Sequence, residues 1–167
     1  MRLLKAIPII ILTYIVYIVF SGSVKMYDIV LGLVVSLIAG YLTAELIVKD
    51  VSKALSIKRL IWLVIYAVYY LTVAEFKAHY DVIKRILHPK MPINPGIVRV
   101  PYNVSNDYSI VTIANSITNT PGTVTVHLDD EKKVYYVHWI DVKAPDPKTT
   151  YENIVKKFES YVKNIFE

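Results

Sequence analysis

Apolar residues form three long runs in the first half of the chain, of which only the second contains a charged residue, Glu45, whereas the second half alternates between apolar and polar positions. Residues 6–24 carry no charge, which is enough apolar length for one membrane-spanning helix. A second run occupies residues 29–48, and Ser21-Gly22-Ser23 between the two runs is typical of a tight turn. The pattern predicts a hairpin of two spans, retained as an anchor rather than cleaved as a signal peptide.

The third apolar run, residues 60–74, is uncharged but short. Fifteen residues reach about 22 Å at 1.5 Å per residue, less than the roughly 30 Å of a hydrocarbon core. We therefore expect the helix to continue past Glu75 towards Tyr80, with one carboxylate in or beside the hydrocarbon. An amphipathic pattern then predicts that this helix continues along the membrane surface. Its apolar positions are Phe76, Tyr80, Ile83 and Leu87.

The remaining residues predict a small soluble domain of the α+β class, in the order β-α-β-β-α. Pro89 ends the amphipathic pattern, and the Pro-rich residues 91–96 predict a stiff linker. The predicted organisation is three transmembrane helices and an interfacial helix in residues 1–90, the linker 91–96, and the soluble domain 97–167. Its predicted elements are a strand at 97–101, a helix capped by Ser105-Asn106-Asp107 and ending near 117, a hairpin of strands 123–128 and 134–142, and a helix at 149–166.

Small side chains recur at every fourth position of the second span. They are Gly32, Ser36, Gly40 and Ala44, and we call them the small-residue face. Residues spaced by four lie along one side of a helix, and small residues there let another helix approach closely. The pattern predicts a helix-packing surface whose partner is the chain's own first or third helix or another membrane subunit.

Composition excludes several classes of protein. Hydrophobic residues make up 54% of the 167 residues, the mean hydropathy is +0.42, and the absence of cysteine excludes disulfides and thiolate sites. The net charge is +6 for residues 1–96 and −1 for residues 97–167. The basic charge therefore flanks the apolar spans, where the lipid bilayer is the expected partner, and a nearly neutral tail argues against nucleic-acid binding.

Catalytic motifs are missing from the sequence. There is no Gly-rich phosphate loop and no Gly-x-Ser-x-Gly or His-Glu-x-x-His pattern, and the four histidines show no ligand spacing on one helix. We therefore predict no cofactor, no metal and no enzyme activity for the chain by itself. Glu75 is the candidate ion-path residue, because an ionisable group within a span usually faces a bundle interior or an aqueous cavity. The alternative is an interfacial carboxylate paired with Lys77 or Arg59.

The run Ala114-Asn115-Ser116-Ile117-Thr118-Asn119-Thr120-Pro121-Gly122-Thr123, followed by Val137-His138-Trp139, closely resembles a family signature. It resembles the E subunit of the multisubunit Mrp-type (Mnh-type) cation/proton antiporters, which has a homologous subunit in archaeal membrane-bound hydrogenases. Asn119 departs from the Leu that is common in that family. The signature residues are Asn115, Ser116, Thr118, Thr120, Pro121, Gly122, Thr123, His138 and Trp139.

This resemblance implies an accessory, non-catalytic membrane subunit, with other membrane subunits as partners. The parent complex would be a Na+/H+ antiporter or the antiporter module of an energy-converting hydrogenase, and the resemblance does not decide between them. The subunit would contribute to assembly and to cation or proton translocation. The signature also has a local interpretation, because Asn, Ser and Thr side chains bond nearby backbone where a helix turns into a strand. We favour this structural role over a direct ligand site.

Two rival functions and the orientation stay open. One rival is a self-contained, homo-oligomeric transporter or channel that assembles through the small-residue face. The other is a membrane-anchored enzyme that uses His138. The chain is expected in the cell membrane as a multi-pass protein, and the absence of an export signal favours a cytoplasmic C-terminal domain. With three spans, the positive-inside count is nearly balanced, at six Lys and Arg residues against five.

Overall fold

The computed structural model describes residues 2–167 and divides the chain into two compact units. The first unit ends at Ile57, and the second comprises Lys58–Glu167. The first contains α1 (Arg2–Ser21), α2 (Met26–Ile47) and the short α3 (Val51–Ala54).

The predicted hairpin of the first two helices is present. Gly22 has a φ of +61° in the turn between α1 and α2, a left-handed conformation that glycine adopts without strain. Next to it, the Ser23 hydroxyl donates to the Asp28 carboxylate at 2.5 Å. This short, locally bonded turn brings the two helices together as antiparallel neighbours.

One continuous helix, α4 (Ile57–Ile86), opens the second unit. It joins two α-helical segments, Ile57–Tyr69 and Glu75–Ile86, through a single π-helical turn at Tyr70–Ala74. The Glu75 amide donates to the Tyr70 carbonyl, five residues back, so this turn holds one more residue than an α-helical turn. The predicted third span and the predicted amphipathic helix are thus two halves of one helix.

A three-stranded antiparallel sheet follows. Its strands are β1 (Gly96–Pro101), β2 (Thr123–Asp129) and β3 (Val134–Trp139). The spatial order is β1-β3-β2, so β3 is central, and the predicted β2–β3 hairpin is confirmed. The inner face of β3 is fully buried at Tyr135 and Val137, which pack in the core of the domain.

Two helices cover one face of the sheet. They are α5 (Asp107–Asn119) and α6, which runs through Pro147–Thr150, a π-helical turn at Tyr151–Val155, and Lys156–Phe166. The Asn106 side chain caps α5 by accepting from the Tyr108 amide at 2.9 Å. The apolar side of α6 faces the core of the domain, with Val155 and Val162 fully buried.

The predicted fold class is confirmed, because three helices long and apolar enough to cross a membrane precede a small α+β domain with the predicted order of elements. The prediction for β3 was three residues too long. After Trp139 the chain leaves the ladder, since the Val142 amide donates to the Asn94 carbonyl at 2.8 Å and Asn94 forms an isolated bridge with Asp141. The division into residues 1–90, 91–96 and 97–167 stays a prediction.

Candidate functional site

The small-residue face of α2 is turned towards α1. All four of its residues, Gly32, Ser36, Gly40 and Ala44, are buried. A methyl group added at Gly32 would meet the Tyr17 ring, and one added at Gly40 would meet the Ile10 side chain and lie 3.2 Å from the Ala6 carbonyl oxygen. The face therefore packs against the chain's own first helix, which is one of the partners that the sequence left open.

Large apolar side chains form the outer surface of the hairpin. Leu42 and Leu46 of α2 and Phe20 of α1 are strongly exposed in this unit. A lipid bilayer tolerates such a surface, and so does a neighbouring apolar helix. Any contact between this hairpin and another subunit would use these residues rather than the small-residue face.

Glu75 directly follows the π-helical turn of α4, and its side chain is only 20% exposed. His79 lies one turn further on, with its Nδ1 3.4 Å from the Glu75 carboxylate and 2.9 Å from the Glu75 carbonyl oxygen. The buried Tyr70 hydroxyl lies close to the same carboxylate without hydrogen-bond geometry. The π-helical turn thus gathers a carboxylate, an imidazole and a phenol.

The alternative pairing of Glu75 with Arg59 is not what the structure shows. Arg59 instead donates from Nη1 to the Ile165 carbonyl oxygen at 2.6 Å, near the end of α6. Glu75 stays a predicted ion-path residue, and pairing with Lys77 stays the alternative.

The signature residues form the corner between α5 and β2. The Thr118, Thr120 and Thr123 hydroxyls donate to the backbone carbonyls of Ala114, Ser116 and Ile117 at 2.9, 2.6 and 2.8 Å. Gly122 follows Pro121 with a φ of +96°, which favours glycine. A Cβ there would also lie 3.1 Å from Ile140. Asn115 is exposed on α5. These contacts are those of a structural turn.

The same corner contacts α4. The Ser116 hydroxyl lies 2.5 Å from the Tyr66 hydroxyl, and both side chains are buried. Thr120 lies near Tyr70, beside Glu75. This contact was not predicted, although the sequence of α4 contains a signal for it. Aromatic residues in the third apolar run recur at helical spacing, at Trp62, Tyr66, Tyr69 and Tyr70.

His138 and Trp139 have different surroundings. Trp139 is buried in the core, whereas His138 is exposed on the outer face of the sheet, opposite Ile97 and Val124. His127 pairs across the ladder with Tyr136 and not with His138. Within residues 2–167, no cluster of three or more His, Cys, Asp or Glu side chains could hold a metal ion.

Glu159 is a buried carboxylate that the sequence analysis overlooked. It accepts from the Asn103 amide at 2.9 Å, the Lys163 ammonium at 2.6 Å and the Tyr151 hydroxyl at 3.2 Å. These three donors compensate the cost of burying the charge and fix α6 to the segment after β1. The available signal was Lys163 four residues later, at the spacing of a helical ion pair.

Comparison with known proteins gives the same architecture. The E subunit of the Na+/H+ antiporter of Alkalihalophilus pseudofirmus is 31% identical over 145 residues, which cover 87% of each chain. The E1 subunit of the Na+/H+ antiporter of Staphylococcus haemolyticus is 31% identical over 156 residues, or 91% of each chain. A chain of the membrane-bound sulfane sulfur reductase, an archaeal respiratory membrane complex, matches with a TM-score of 0.84 and 35% identity, covering 97% of this chain and 99% of that one.

Apolar helices that precede a small α+β domain define a membrane protein with a soluble domain attached. The match to the family model extends through both parts, over residues 10–165. The chain belongs to the Na+/H+ ion antiporter subunit family.

Proposed function

We propose that this chain is an accessory, non-catalytic subunit of a multisubunit membrane complex that translocates cations or protons. The observation that carries the proposal is the extent of the similarity. The family match covers residues 10–165, and the respiratory-complex chain aligns with 97% of this one. A chain that keeps the complete architecture of such a subunit is expected to keep its kind of partners as well.

The parent complex is a Na+/H+ antiporter or a respiratory complex that contains a related ion-translocating module. The names of the curated relatives support the first, and the solved relative at 35% identity supports the second. A membrane-bound hydrogenase belongs to the second class. In either complex this subunit would complete the membrane arm, and the redox centres, where present, would lie on other subunits.

Within the complex, Glu75 is the residue we place on an ion route. Support comes from its largely buried carboxylate, its contact with His79, and the buried Tyr70 hydroxyl beside it. A carboxylate next to an imidazole can receive and release a proton without a large rearrangement. We also propose that the C-terminal domain is cytoplasmic.

Co-purification tests this proposal directly. The chain, tagged after Glu167, is isolated from native membranes in a mild detergent, and its partners are identified by mass spectrometry. A second preparation with the tag at the exposed Glu131 controls for interference by the tag. We expect antiporter-like subunits in both preparations. Nickel-iron or iron–sulfur subunits beside them would identify a respiratory complex, and their absence an antiporter.

Recovery of the chain as a homo-oligomer in both preparations would overturn the proposal. That result would instead support the self-contained transporter or channel. The stoichiometry is read from native mass spectrometry, which separates a homo-oligomer from a heteromeric complex without relying on transport activity.

A further inference from the structure

One face of α4 packs on the soluble domain along nearly the whole helix. At the first turn, Arg59 bonds to the Ile165 carbonyl at 2.6 Å. In the middle, Tyr66 contacts Ser116, and further contacts to α6 are aromatic. At the last turn, the Arg85 guanidinium pairs with Asp141 at 3.0 Å.

The length of this contact can be compared with the thickness of a membrane. Arg59 and Arg85 are 26 residues apart, which corresponds to about 39 Å of helix at 1.5 Å per residue. A hydrocarbon core is roughly 30 Å thick. If α4 crossed the bilayer perpendicularly, the domain beside it would lie in the hydrocarbon as well.

The soluble domain is not suited to contact with the hydrocarbon core of a membrane. Its sheet has two edge strands, β1 and β2, and open sheet edges do not occur in contact with lipid. The helix α6 also carries exposed charges at Glu152, Lys156 and Lys157. Burying these groups in lipid would cost several kcal/mol for each of them. The domain therefore requires water on the sides that do not contact α4.

The opposite face of α4 is apolar and exposed. Exposed large residues on this face, on either side of the π-helical turn, are Leu60, Val64, Val68, Leu71, Phe76, Tyr80 and Ile83, with Leu87 directly after the helix. We call this set the outer stripe. Lys84 follows the stripe residue Ile83 by one position, about 100° around the helix, where a long basic side chain can reach headgroups.

The π-helical turn keeps both faces continuous. Five residues separate Leu71 from Phe76, and at about 100° per residue they would lie roughly 140° apart around a regular α-helix. The extra residue in the π-helical turn removes about one residue's rotation and brings the two halves of the outer stripe nearly into line. It likewise keeps Val82 and Arg85 on the domain side with Tyr66.

From these observations we infer that α4 lies along the membrane surface, with the outer stripe inserted in the lipid and the soluble domain resting on its other face. Length and composition alone are compatible with either a crossing or a surface helix. The contact with a water-requiring domain along about 39 Å favours the surface helix. Amphipathic helices of this kind bury their apolar face at the boundary between headgroups and acyl chains.

With α4 on the membrane surface, the Lys and Arg residues are distributed differently between the two sides of the membrane. With α1 and α2 as the crossing helices, six basic residues near the ends of the spans share one side of the membrane: Arg2, Lys5, Lys49, Lys53, Lys58 and Arg59. Lys25 is then the single Lys or Arg between the two spans. The positive-inside rule predicts that the larger group, and with it the soluble domain, is cytoplasmic. This inference does not depend on which complex the chain joins.

Cysteine labelling can test the orientation without further engineering, because the chain contains no cysteine. Single variants K58C, K90C, E131C and K25C are made in the full chain within its native membranes, at positions that are all exposed. A membrane-impermeant maleimide is applied to right-side-out and to inverted vesicles. Labelling after solubilisation in denaturing detergent confirms that each thiol is present.

We expect K58C, K90C and E131C to label from the same side, the outside of inverted vesicles, and K25C to label from the opposite side. Labelling of K58C and K90C from opposite sides would mean that α4 crosses the bilayer, and would overturn the inference.

A spin label at Val68 tests whether lipid or another protein contacts the outer stripe. We expect it to be accessible to oxygen and to report a depth of about 5–10 Å below the phosphates. A label at the solvent-exposed Glu131 is the matched control, accessible to a water-soluble relaxation agent. If the Val68 label is shielded from both agents, another membrane protein covers the stripe, and the lipid contact is wrong.

Discussion

Tyr69 of α4 stacks on Tyr161 of α6, with ring centroids 4.7 Å apart and ring planes inclined by 26°. Trp62 and Tyr66 contact the same Tyr161 ring, at centroid distances of 6.4 and 5.6 Å. Three residues from successive turns of one helix thus converge on a single side chain of another. Tyr161 is therefore the central residue of the contact that joins α4 to the soluble domain.

The energetic coupling of Tyr69 and Tyr161 can be measured with a double-mutant cycle. We expect Y69A and Y161A each to destabilise the second unit, and their coupling free energy to be about 1 kcal/mol, the usual contribution of an aromatic pair beyond its buried area. Denaturant unfolding of the full chain in mild detergent, followed by tryptophan fluorescence, gives the values. The pair Y80A and Y161A is the control, since Tyr80 belongs to the outer stripe. Its effects should add within about 0.5 kcal/mol.

Gly40 has no room for a larger side chain. In G40L the new side chain meets Ile10 and the Ala6 carbonyl, so α1 and α2 must separate. We expect a loss of about 1–3 kcal/mol in the stability of the hairpin, which is the usual cost of overpacking. The thermal midpoint of the chain in detergent provides the measurement. The matched control is V34L, an exposed position on the same helix, and equal midpoints for the two variants would contradict the assigned packing.

Replacement of Glu75 by Gln separates transport from assembly. The variant keeps the size of the side chain but cannot ionise, so we expect a complete complex on native gels. The rate of Na+/H+ exchange in vesicles should fall by about 100-fold, the low end of what a lost proton-transfer group costs. Glu45, exposed on α2, supplies the control variant E45Q. Unchanged exchange in E75Q would remove Glu75 from the ion route.

Glu167 makes the soluble domain sensitive to acid. Burial by itself raises the pKa of its carboxyl group, but hydrogen bonds from Asn106, Ser105 and Ser109 outweigh that effect and lower the pKa to about 2, from a usual 4.5. The unfolded chain therefore takes up a proton first as the pH falls. The stabilisation is complete above about pH 4.5 and is lost progressively as the pH falls towards 2.

The variant E167Q should reduce the dependence of stability on pH in that window. Thermal midpoints measured between pH 6 and pH 3 are expected to fall less steeply in E167Q than in the parent chain. E131Q removes a carboxylate from the exposed hairpin tip and serves as the comparison. A slope that is identical in E167Q and the parent chain would show that these hydrogen bonds contribute nothing to stability.

Most of the elements could be predicted from the sequence because each has a local signature. Long apolar runs identify the membrane helices, Gly22 and Gly122 lie in turns, and the apolar residues of α6 repeat with helical spacing. The capping side chain of Asn106 likewise marks the start of α5. The end of β3 was misjudged because Asp141 and Val142 continue an apolar alternation while their partners come from Asn94.

The aromatic spacing of α4 marks one side of the contacts that define the candidate site, but no local signature identifies the residues on the other side. Ser116 and Tyr66 are 50 residues apart, and nothing in either neighbourhood specifies the other. The π-helical turn at Tyr70–Ala74 depends on how both halves of α4 fit the soluble domain, so composition gives no warning of it. Glu75 could be identified by its charge alone, whereas its neighbour Tyr70 required the fold.

Asn94 determines how freely the soluble domain can move. Its amide donates to the Ile140 carbonyl at 3.1 Å, and its side-chain nitrogen donates to the Val142 carbonyl at 2.8 Å. Just before it, the Arg85 side chain reaches the Pro92 carbonyl at 2.8 Å. Hydrogen bonds at Pro92 and Asn94 therefore hold the Pro-rich segment in place, so that it cannot serve as a hinge. If a neighbouring protein of the complex moves the sheet, α4 is expected to move with it, because no flexible linker separates the sheet from this helix.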